Sequence, residues 1–273
     1  MMEIDRNFVR IAEGQIHYRS IGADTTAPPL IMLHAAPYSA RTLEPLMREI
    51  AKSRRVIAPD LPGTGDSEPL AQAAPTIADY ADALARTLEA LEIETADIYG
   101  AHTGGTVGTE LAIAQPKRVR RLIIDGIGLY TPEFQAEIVA NYAPEVEPDQ
   151  MGRQIHWAWH FVRDHNFFFP WYMHDAKHRS TGEMASADAL HANVVDLLKG
   201  IRTYHHAFRA TFAHPKRERL ALVGAPTLFI GRAGAAAVEE AAALVPNSQL
   251  SIPPADDDPI GAKGRIIQDF LAA

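Results

Sequence analysis

The segment Gly100-Ala-His-Thr-Gly-Gly105 turns the chain sharply from one type of secondary structure to another. Residues 96–99 before it are mostly apolar and predict a short buried strand, and residues 105–114 after it predict a helix. A strand that passes directly into a helix forces the residue at the tip of the turn into a strained conformation, which small neighbours tolerate. We therefore expect the side chain of His102 to project above the edge of a sheet.

Strands and helices alternate on both sides of this turn. Short runs of mostly apolar residues predict eight strands, at residues 8–11, 16–20, 30–33, 55–58, 96–99, 121–124, 226–230 and 249–252. Helices are predicted at residues 41–51, after an N-cap at Thr76, and at residues 105–114, 235–244 and 264–271. This alternation is typical of an α/β fold, a mostly parallel sheet of about eight strands flanked by helices.

The alternation stops between residues 127 and 215, where aromatic side chains cluster. Eight of the 21 aromatic residues lie there within one short stretch: Trp157, Trp159, Phe161, Phe167, Phe168, Phe169, Trp171 and Tyr172. We interpret residues 127–215 as an inserted helical cap, and residues 1–126 and 216–273 as the α/β core. These aromatic side chains either line an apolar pocket between cap and core or simply form the core of the cap. A pocket of this kind would bind a mainly hydrophobic small molecule.

Bulk composition excludes several classes of protein. The 273 residues carry 26 Lys and Arg against 34 Asp and Glu, a formal net charge of −8, with no basic run to bind nucleic acid or an anionic membrane. The absence of Cys excludes disulfides, Cys-ligated zinc and a thiol nucleophile. No signal peptide or membrane-spanning stretch is visible, so we expect a cytoplasmic protein, either a monomer or a homodimer.

Four segments, in this order, resemble the α/β-hydrolase superfamily: His34-Ala-Ala-Pro37, Ala58-Pro-Asp-Leu-Pro-Gly-Thr-Gly-Asp-Ser67, Gly100-Ala-His-Thr-Gly-Gly105 and the strand that begins at Pro226. The helical insertion is similar to the cap of the haloalkane-dehalogenase and epoxide-hydrolase branch. The resemblance implies an α/β-hydrolase fold with an inserted helical cap. It also implies that backbone N–H groups of Ala36 and Thr103 form an oxyanion hole beside His102.

The chain departs from the resembling family at all three positions of its usual triad. The tip of the turn, where the family places Ser, Asp or Cys, is His102. The segment after the Pro226 strand, where the acid usually lies, begins Gly231-Arg-Ala-Gly-Ala. After the last strand, where the family has its base, the chain reads Pro254-Ala-Asp-Asp-Asp258, and no His follows His214. A serine-hydrolase mechanism cannot be assembled from these residues.

A different catalytic pair is predicted instead. His102 would act as general base, or less favourably as nucleophile, with Asp257 or its neighbours Asp256 and Asp258 as the orienting carboxylate. Asp125 at the end of the sixth strand is the alternative partner, although an Asp there often only caps the following turn. Ser67 belongs to a turn and is interpreted as structural.

The pocket and the remaining histidines complete the set of candidate residues. We expect His34, Trp157, Phe168 and Trp171 to line the substrate pocket. Nine of the 12 histidines lie in the cap, and two pairs have helical i, i+4 spacing: His156 with His160, and His174 with His178. Because no H-E-x-x-H element accompanies these pairs, we predict no metal and no cofactor.

Two functions from different classes follow. The first is a cofactor-independent hydrolase or lyase in which His102 acts on a small, mainly hydrophobic carbonyl compound by hydrolysis, C–C or C–X lysis, or isomerisation. The second is a catalytically silent protein that keeps the pocket as a ligand-binding site. A hydrolase that uses an off-motif Ser ranks below both.

Overall fold

The computed structural model describes residues 2–23, 25–180, 182–232, 234–254 and 257–273. Within them one sheet has eight strands: β1 (Asp5–Ile11), β2 (Gly14–Ile21), β3 (Leu30–Leu33), β4 (Val56–Pro59), β5 (Ala96–Ala101), β6 (Val119–Asp125), β7 (Thr227–Ile230) and β8 (Ser248–Ser251). Their order across the sheet is β1-β2-β4-β3-β5-β6-β7-β8. β1, β2 and β4 pair antiparallel, and all pairs from β4 to β8 are parallel. The predicted mostly parallel sheet of about eight strands is confirmed.

Central strands are buried along nearly their whole length because helices cover both faces of the sheet. Every residue of β3, β4 and β7 is buried, as are the first five of the six residues of β5. In a half-exposed sheet alternate residues would be polar. This burial explains why the sequence shows continuous apolar runs at these strands.

Ten α-helices lie in the described part of the chain. They are α1 (Glu44–Ile50), α2 (Ile77–Ala90), α3 (Thr103–Ala114), α4 (Pro132–Asn141), α5 (Arg153–Asp164), α6 (Ala187–Lys199), α7 (Tyr204–Ala213), α8 (Lys216–Leu220), α9 (Ala236–Leu244) and α10 (Pro259–Ala272). Thr76 caps α2 as predicted, since its side chain accepts a hydrogen bond from the Asp79 N–H. No helix among the described residues is long and apolar enough to cross a membrane.

Two predicted helix starts were wrong. The first turn of the predicted helix at residues 41–51 is a 3-10 turn, Ala40–Leu43, and the α-helix begins at Glu44. α10 begins at Pro259, five residues before the predicted Gly264, because the Asp258 side chain accepts a hydrogen bond from the Gly261 N–H and caps the helix.

β6 and β7 are neighbours in the sheet, and α4 to α8 lie between them along the chain. An aromatic cluster packs between these helices around Tyr142, whose ring is almost fully buried and contacts Phe161, Phe208 and Phe212. α8 contacts α3 and α9 beside the sheet. We keep the term cap for residues 127–215, whose boundaries stay a prediction.

Polar contacts fasten the cap to the core near the C-terminal ends of the parallel strands. Asp196 on α6 accepts hydrogen bonds from the hydroxyl of Ser39 at 3.0 Å and from the guanidinium of Arg41 at 2.9 Å. Lys199 Nζ lies 2.7 Å from a carboxylate oxygen of Asp66. On α7, the Thr211 hydroxyl lies 3.3 Å from the hydroxyl of Thr103, the first residue of α3. The last of these contacts places α7 against the start of α3, beside the sharp turn that follows β5.

Candidate active site

His102 occupies the tip of the turn between β5 and α3, where its backbone is strained. Its φ is 46° and its ψ is −103°, values that L-residues rarely adopt. The glycines beside it are needed for space, since a Cβ added to Gly104 would lie 2.3 Å from the carbonyl oxygen of Leu33. The start of α3 therefore lies directly against the end of β3.

The imidazole of His102 is accessible to solvent. The side chain is exposed, and its ring packs against Gly126, where an added Cβ would lie 2.7 Å from Cε1. Among the residues that the structure describes, none forms a hydrogen bond with either ring nitrogen of His102.

Burial lowers the pKa of His102, and the surrounding charges act in both directions. Asp125 raises this pKa, whereas Lys263 and Arg232 lower it, and desolvation is the largest effect. Neighbouring protein therefore desolvates part of the imidazole although the side chain is accessible to water. A pKa below 6.5 leaves the ring neutral at pH 7, with a lone pair able to accept a proton.

Asp125 is committed to partners other than His102. Its Oδ2 accepts a hydrogen bond from the Tyr99 hydroxyl at 2.5 Å and lies 2.6 Å from Lys263 Nζ. Only the backbone links it to the turn, through a hydrogen bond of 3.2 Å from the His102 N–H to the Asp125 carbonyl. The structure does not form the alternative His102–Asp125 side-chain pair.

The predicted pair between His102 and Asp257 is not formed either. The Asp257 side chain is exposed, and no hydrogen bond or ion pair joins it to His102. The neighbouring Asp258 is the N-cap of α10, so this end of the loop forms the start of that helix. Asp256, the third predicted candidate, lies outside the described residues.

The two predicted oxyanion donors lie next to the turn. The Thr103 N–H begins α3 and the Ala36 N–H belongs to the loop after β3, and neither has an acceptor within the described ranges. The contact between Gly104 and Leu33 brings the start of α3 against the strand that leads into this loop. Unpaired N–H groups at a helix start favour a negative charge, so the arrangement is compatible with an oxyanion site.

His34 is a structural residue and not part of the pocket wall, which corrects the prediction. It is fully buried, and its Nε2 accepts a hydrogen bond of 2.9 Å from the Leu61 N–H. Nε2 must therefore be unprotonated, and Nδ1–H donates to the Ala35 carbonyl at 3.0 Å. Burial lowers the pKa of His34, which favours this neutral form. The ring therefore connects the loop after β3 to the segment that follows β4, through Leu61.

The three predicted aromatic pocket residues differ in position. Trp157 and Trp171 belong to the aromatic cluster of the cap, where each packs 5.1 Å from the ring of Phe161, and both remain partly accessible. Phe168 lies after α5 and packs against His174 with ring centroids 4.8 Å apart. The structure thus places Trp157 and Trp171 in the aromatic cluster. Their role in lining the substrate pocket stays a prediction.

A cavity of about 540 Å³ lies where the chain enters and leaves the cap. Its lining comprises residues 128–132, Gln135 and residues 212–218, and includes the buried ammonium group of Lys216. Desolvation lowers the pKa of Lys216 to about 8, and its Nζ donates to the Thr211 carbonyl. None of the residues predicted for the site lines this cavity.

Possible metal ligands come together at one place in the described ranges. One donor atom from each of His17, Asp60 and Asp66 lies within 4.8 Å of the others. The Asp60 carboxylate already accepts from the Ala40 N–H at 2.7 Å and the Asp66 N–H at 3.0 Å, and lies 2.8 Å from His17 Nδ1. This network of hydrogen bonds gives the cluster a structural role.

The two predicted histidine pairs do not form a common site. His156 and His160 are exposed on α5. His174 and His178 lie outside a helix, so their spacing does not place them on one helical face. Lys263 and Arg232, the two cations that lower the pKa of His102, were not singled out in the sequence.

Ser67 has the structural role predicted for it. Its hydroxyl donates to the Asp60 carbonyl at 3.0 Å and accepts a hydrogen bond of 3.0 Å from the His17 N–H. The side chain is buried, so no activated serine is available at this turn.

Comparisons with known proteins agree with this architecture. A family model described as alpha/beta hydrolase fold matches residues 28–230. The 2-hydroxymuconate semialdehyde hydrolase of Pseudomonas sp. (strain CF600) is 44% identical over 101 residues, which cover 36% of each chain. The 2-hydroxy-6-oxononadienedioate/2-hydroxy-6-oxononatrienedioate hydrolase of Paraburkholderia xenovorans (strain LB400) is 35% identical over 136 residues, 46% of this chain and 45% of the relative. The chain spans less than half the length of these curated relatives.

Solved structures show the same fold over nearly the whole chain. A hydrolase from Pseudomonas aeruginosa PA01 has a TM-score of 0.75 at 22% identity and covers 98% of this chain and 99% of its own. The enol-lactonase from Burkholderia xenovorans LB400 also has a TM-score of 0.75, at 18% identity, and covers 98% of this chain and all of its own. The matched family model, the strand order and the strained turn at His102 agree, and the chain belongs to the α/β-hydrolase fold family.

Proposed function

We propose that this protein is a cofactor-independent hydrolase of a small carbonyl compound, with His102 as its general base. The observation that carries the proposal is the state of the imidazole. It stands at a strained turn, is accessible, has a lowered pKa and has no protein hydrogen bond among the described residues. A residue held in such a strained backbone conformation is typical of functional sites.

In the proposed reaction, a neutral His102 accepts a proton from a water molecule as the water oxygen attacks the substrate carbonyl. The carbonyl oxygen gains negative charge, which the N–H groups of Ala36 and Thr103 stabilise. The imidazolium then returns the proton to the leaving group as the tetrahedral intermediate collapses. Proton abstraction from carbon next to the carbonyl, leading to lysis or isomerisation, would use the same residues.

The curated relatives support a carbonyl substrate. Their names describe hydrolases of a semialdehyde and of 2-hydroxy-6-oxo compounds, each of which contains an aldehyde or ketone group. The aromatic cluster of the cap above the turn favours a ligand with an apolar part.

A ligand-binding protein without catalysis is the second candidate, and a specific observation favours it. The imidazole of His102 lacks an orienting carboxylate among the described residues, whereas catalytic histidines are commonly held by one. Such a protein would bind the same class of molecule through the unpaired N–H groups and the apolar surface.

Turnover of a panel of esters, lactones and β-dicarbonyl compounds by purified protein tests the proposal. On a substrate that turns over, His102→Ala should reduce kcat/KM by about 10²–10⁴-fold, the usual loss for a general base. The matched control is His156→Ala, which removes an exposed histidine of α5 and should leave turnover unchanged. Near wild-type turnover in His102→Ala would refute the role of His102. Stoichiometric binding without any turnover would favour the ligand-binding protein.

A further inference from the structure

We propose that Lys216 is a covalent binding site for small aldehydes, in the cavity where the chain enters and leaves the cap. This inference goes beyond the proposed function, because it assigns an amine that the reaction proposed at His102 does not use. The cavity has a volume of about 540 Å³ and is formed by residues 128–132, Gln135 and residues 212–218. Lys216 belongs to its wall and is only 8% exposed.

The amine of Lys216 is held beside the aromatic part of the cavity wall. Its Nζ donates a hydrogen bond to the carbonyl of Thr211, near the end of α7, and lies 6.0 Å from the centroid of the Tyr130 ring. Phe212 packs against the same ring, with centroids 6.1 Å apart. Tyr130 and Phe212 both line the cavity, so the amine adjoins apolar surface in a space that can hold a small molecule.

No acidic side chain of the described residues balances a charge on Lys216. Its neighbour Arg217 pairs with Glu240, but no carboxylate in the described ranges lies within 4.0 Å of Lys216 Nζ. A buried ammonium group without a counter-charge is costly, and it loses its proton more easily than an exposed one. Burial, together with the charge of Arg217, lowers the pKa of Lys216 to about 8. The amine is therefore partly unprotonated, and so nucleophilic, near neutral pH.

The unprotonated amine of Lys216 condenses with an aldehyde in two steps. The nitrogen lone pair first attacks the carbonyl carbon, and a C–N bond forms while a proton moves from nitrogen to the aldehyde oxygen. The resulting carbinolamine then loses its hydroxyl group and the second amine proton as water, which leaves a C=N bond between Nζ and the ligand. Both amine hydrogens thus depart with the aldehyde oxygen, and no further reactant is needed. The aromatic wall favours aldehydes that have an apolar part.

Reductive trapping with benzaldehyde and cyanoborohydride at pH 7.5 tests the inference, because cyanoborohydride reduces an imine to a stable benzylamine. At this pH about a quarter of the Lys216 amines are unprotonated, against roughly 0.1% for a lysine with an ordinary pKa. Peptide mass spectrometry measures the rate at each lysine of the wild-type protein. We expect Lys216 to be benzylated at least about tenfold faster than Lys52, whose side chain is 61% exposed. The rate at Lys216 should also saturate as the benzaldehyde concentration rises, because the aldehyde first binds in the cavity.

Two variants separate this site from the rest of the protein. Lys216→Arg keeps a cation and should lose the fast adduct, while the slow benzylation of Lys52 continues. His102→Ala should be benzylated at Lys216 at the wild-type rate, because His102 does not line the cavity. A rate at Lys216 equal to or below that at Lys52 would overturn the inference, as would a fast adduct that disappears in His102→Ala. A fast adduct at Lys216 in a protein that turns over no carbonyl compound would refute the proposed hydrolase and keep the aldehyde site.

Discussion

Lys263 Nζ lies 2.6 Å from Asp125 Oδ2, and this ion pair links the last helix of the chain to the strand beside the His102 turn. Both partners are largely buried, with 27% of the Lys263 side chain and 17% of the Asp125 side chain exposed. The pair keeps the one carboxylate that raises the pKa of His102 bonded elsewhere. The charge state of His102 therefore depends on a residue of α10.

We expect Lys263→Gln to raise the pKa of His102. The substitution removes a cation that lowers this pKa and leaves Asp125, which raises it, without its counter-charge. NMR titration of the labelled imidazole measures the change. Lys52→Gln removes a lysine that pairs with Glu49 on α1 and should leave the titration unchanged. A lower or equal pKa in Lys263→Gln would show that the ion pair does not control His102.

The rate of turnover should have an acidic limb set by His102. A general base works in its neutral form, and the pKa of His102 lies below 6.5. We expect kcat/KM to be flat between pH 7 and pH 8 and to fall about tenfold per pH unit once the pH is below this pKa. Steady-state rates across this range measure the limb. A midpoint above pH 7 would assign the base to another group.

Reagents that trap activated serines should leave the protein unmodified. The turn carries His102 in place of Ser, and both sides of the Ser67 hydroxyl are hydrogen-bonded. Intact mass after incubation with a sulfonyl fluoride or an organophosphate should equal that of untreated protein. A stoichiometric adduct on any serine would restore serine chemistry as the mechanism. His102→Ser should not create an esterase, since no His follows His214 to activate it.

Protonation of His165 should destabilise the fold below neutral pH. Burial lowers the pKa of His165 to about 4, and its Nε2 is hydrogen-bonded to the Tyr142 hydroxyl at 2.9 Å. The unfolded chain binds a proton near pH 6.5 and the folded chain only near pH 4, so stability is full above pH 6.5 and falls between these values. This amounts to about 2 kcal/mol at pH 5.

The variant His165→Gln isolates this effect. At pH 7.5 its Tm should be lower than that of wild type because the hydrogen bond to Tyr142 is altered. At pH 5 this difference in Tm, called the gap below, should narrow because the variant has no imidazole to protonate. His191→Gln replaces an exposed histidine of α6 and should keep a constant small gap. Thermal unfolding at the two pH values decides, and a gap that widens toward pH 5 would contradict the prediction.

Gly104→Ala should damage the turn that holds His102. The new Cβ would lie 2.3 Å from the Leu33 carbonyl oxygen, and backbone on both sides would have to move. We expect a loss of about 1–3 kcal/mol in the free energy of unfolding, as for an overpacked core. Gly224→Ala is the matched control, because its Cβ would meet nothing within 4 Å. Denaturant unfolding compares the two, and equal stabilities would show that the turn has room for a side chain.

The fold could be predicted because its signals are local. Buried strands appear as apolar runs, and a strand, two glycines and a helix place His102 at the tip of a turn without reference to distant residues. The Asp-Pro sequence at Asp258 was also a local signal, typical of a helix start, and it would have placed the beginning of α10 correctly.

The partners of the site residues could not be predicted in the same way. Lys263 and Asp125 are 138 residues apart, and nothing in either segment shows that their side chains meet. His34 adjoins a strand and looks accessible in sequence, but it is fully buried, and its Nε2 accepts a hydrogen bond from Leu61, 27 residues along the chain. Asp257 occupies the expected place along the chain, yet its position in space depends on how the loop enters α10.

The contact of Asp196 with Ser39 and Arg41 has a kinetic consequence. Ser39 follows Ala36 by three residues, so one carboxylate of the cap is anchored to the loop that carries a proposed oxyanion donor. Any movement of α6 away from this loop has to separate the carboxylate, 6% exposed, from the guanidinium and hydrate it. Such a movement is therefore opposed by the same contact that positions the loop. A firmly held loop and a freely moving α6 are thus mutually exclusive at this contact.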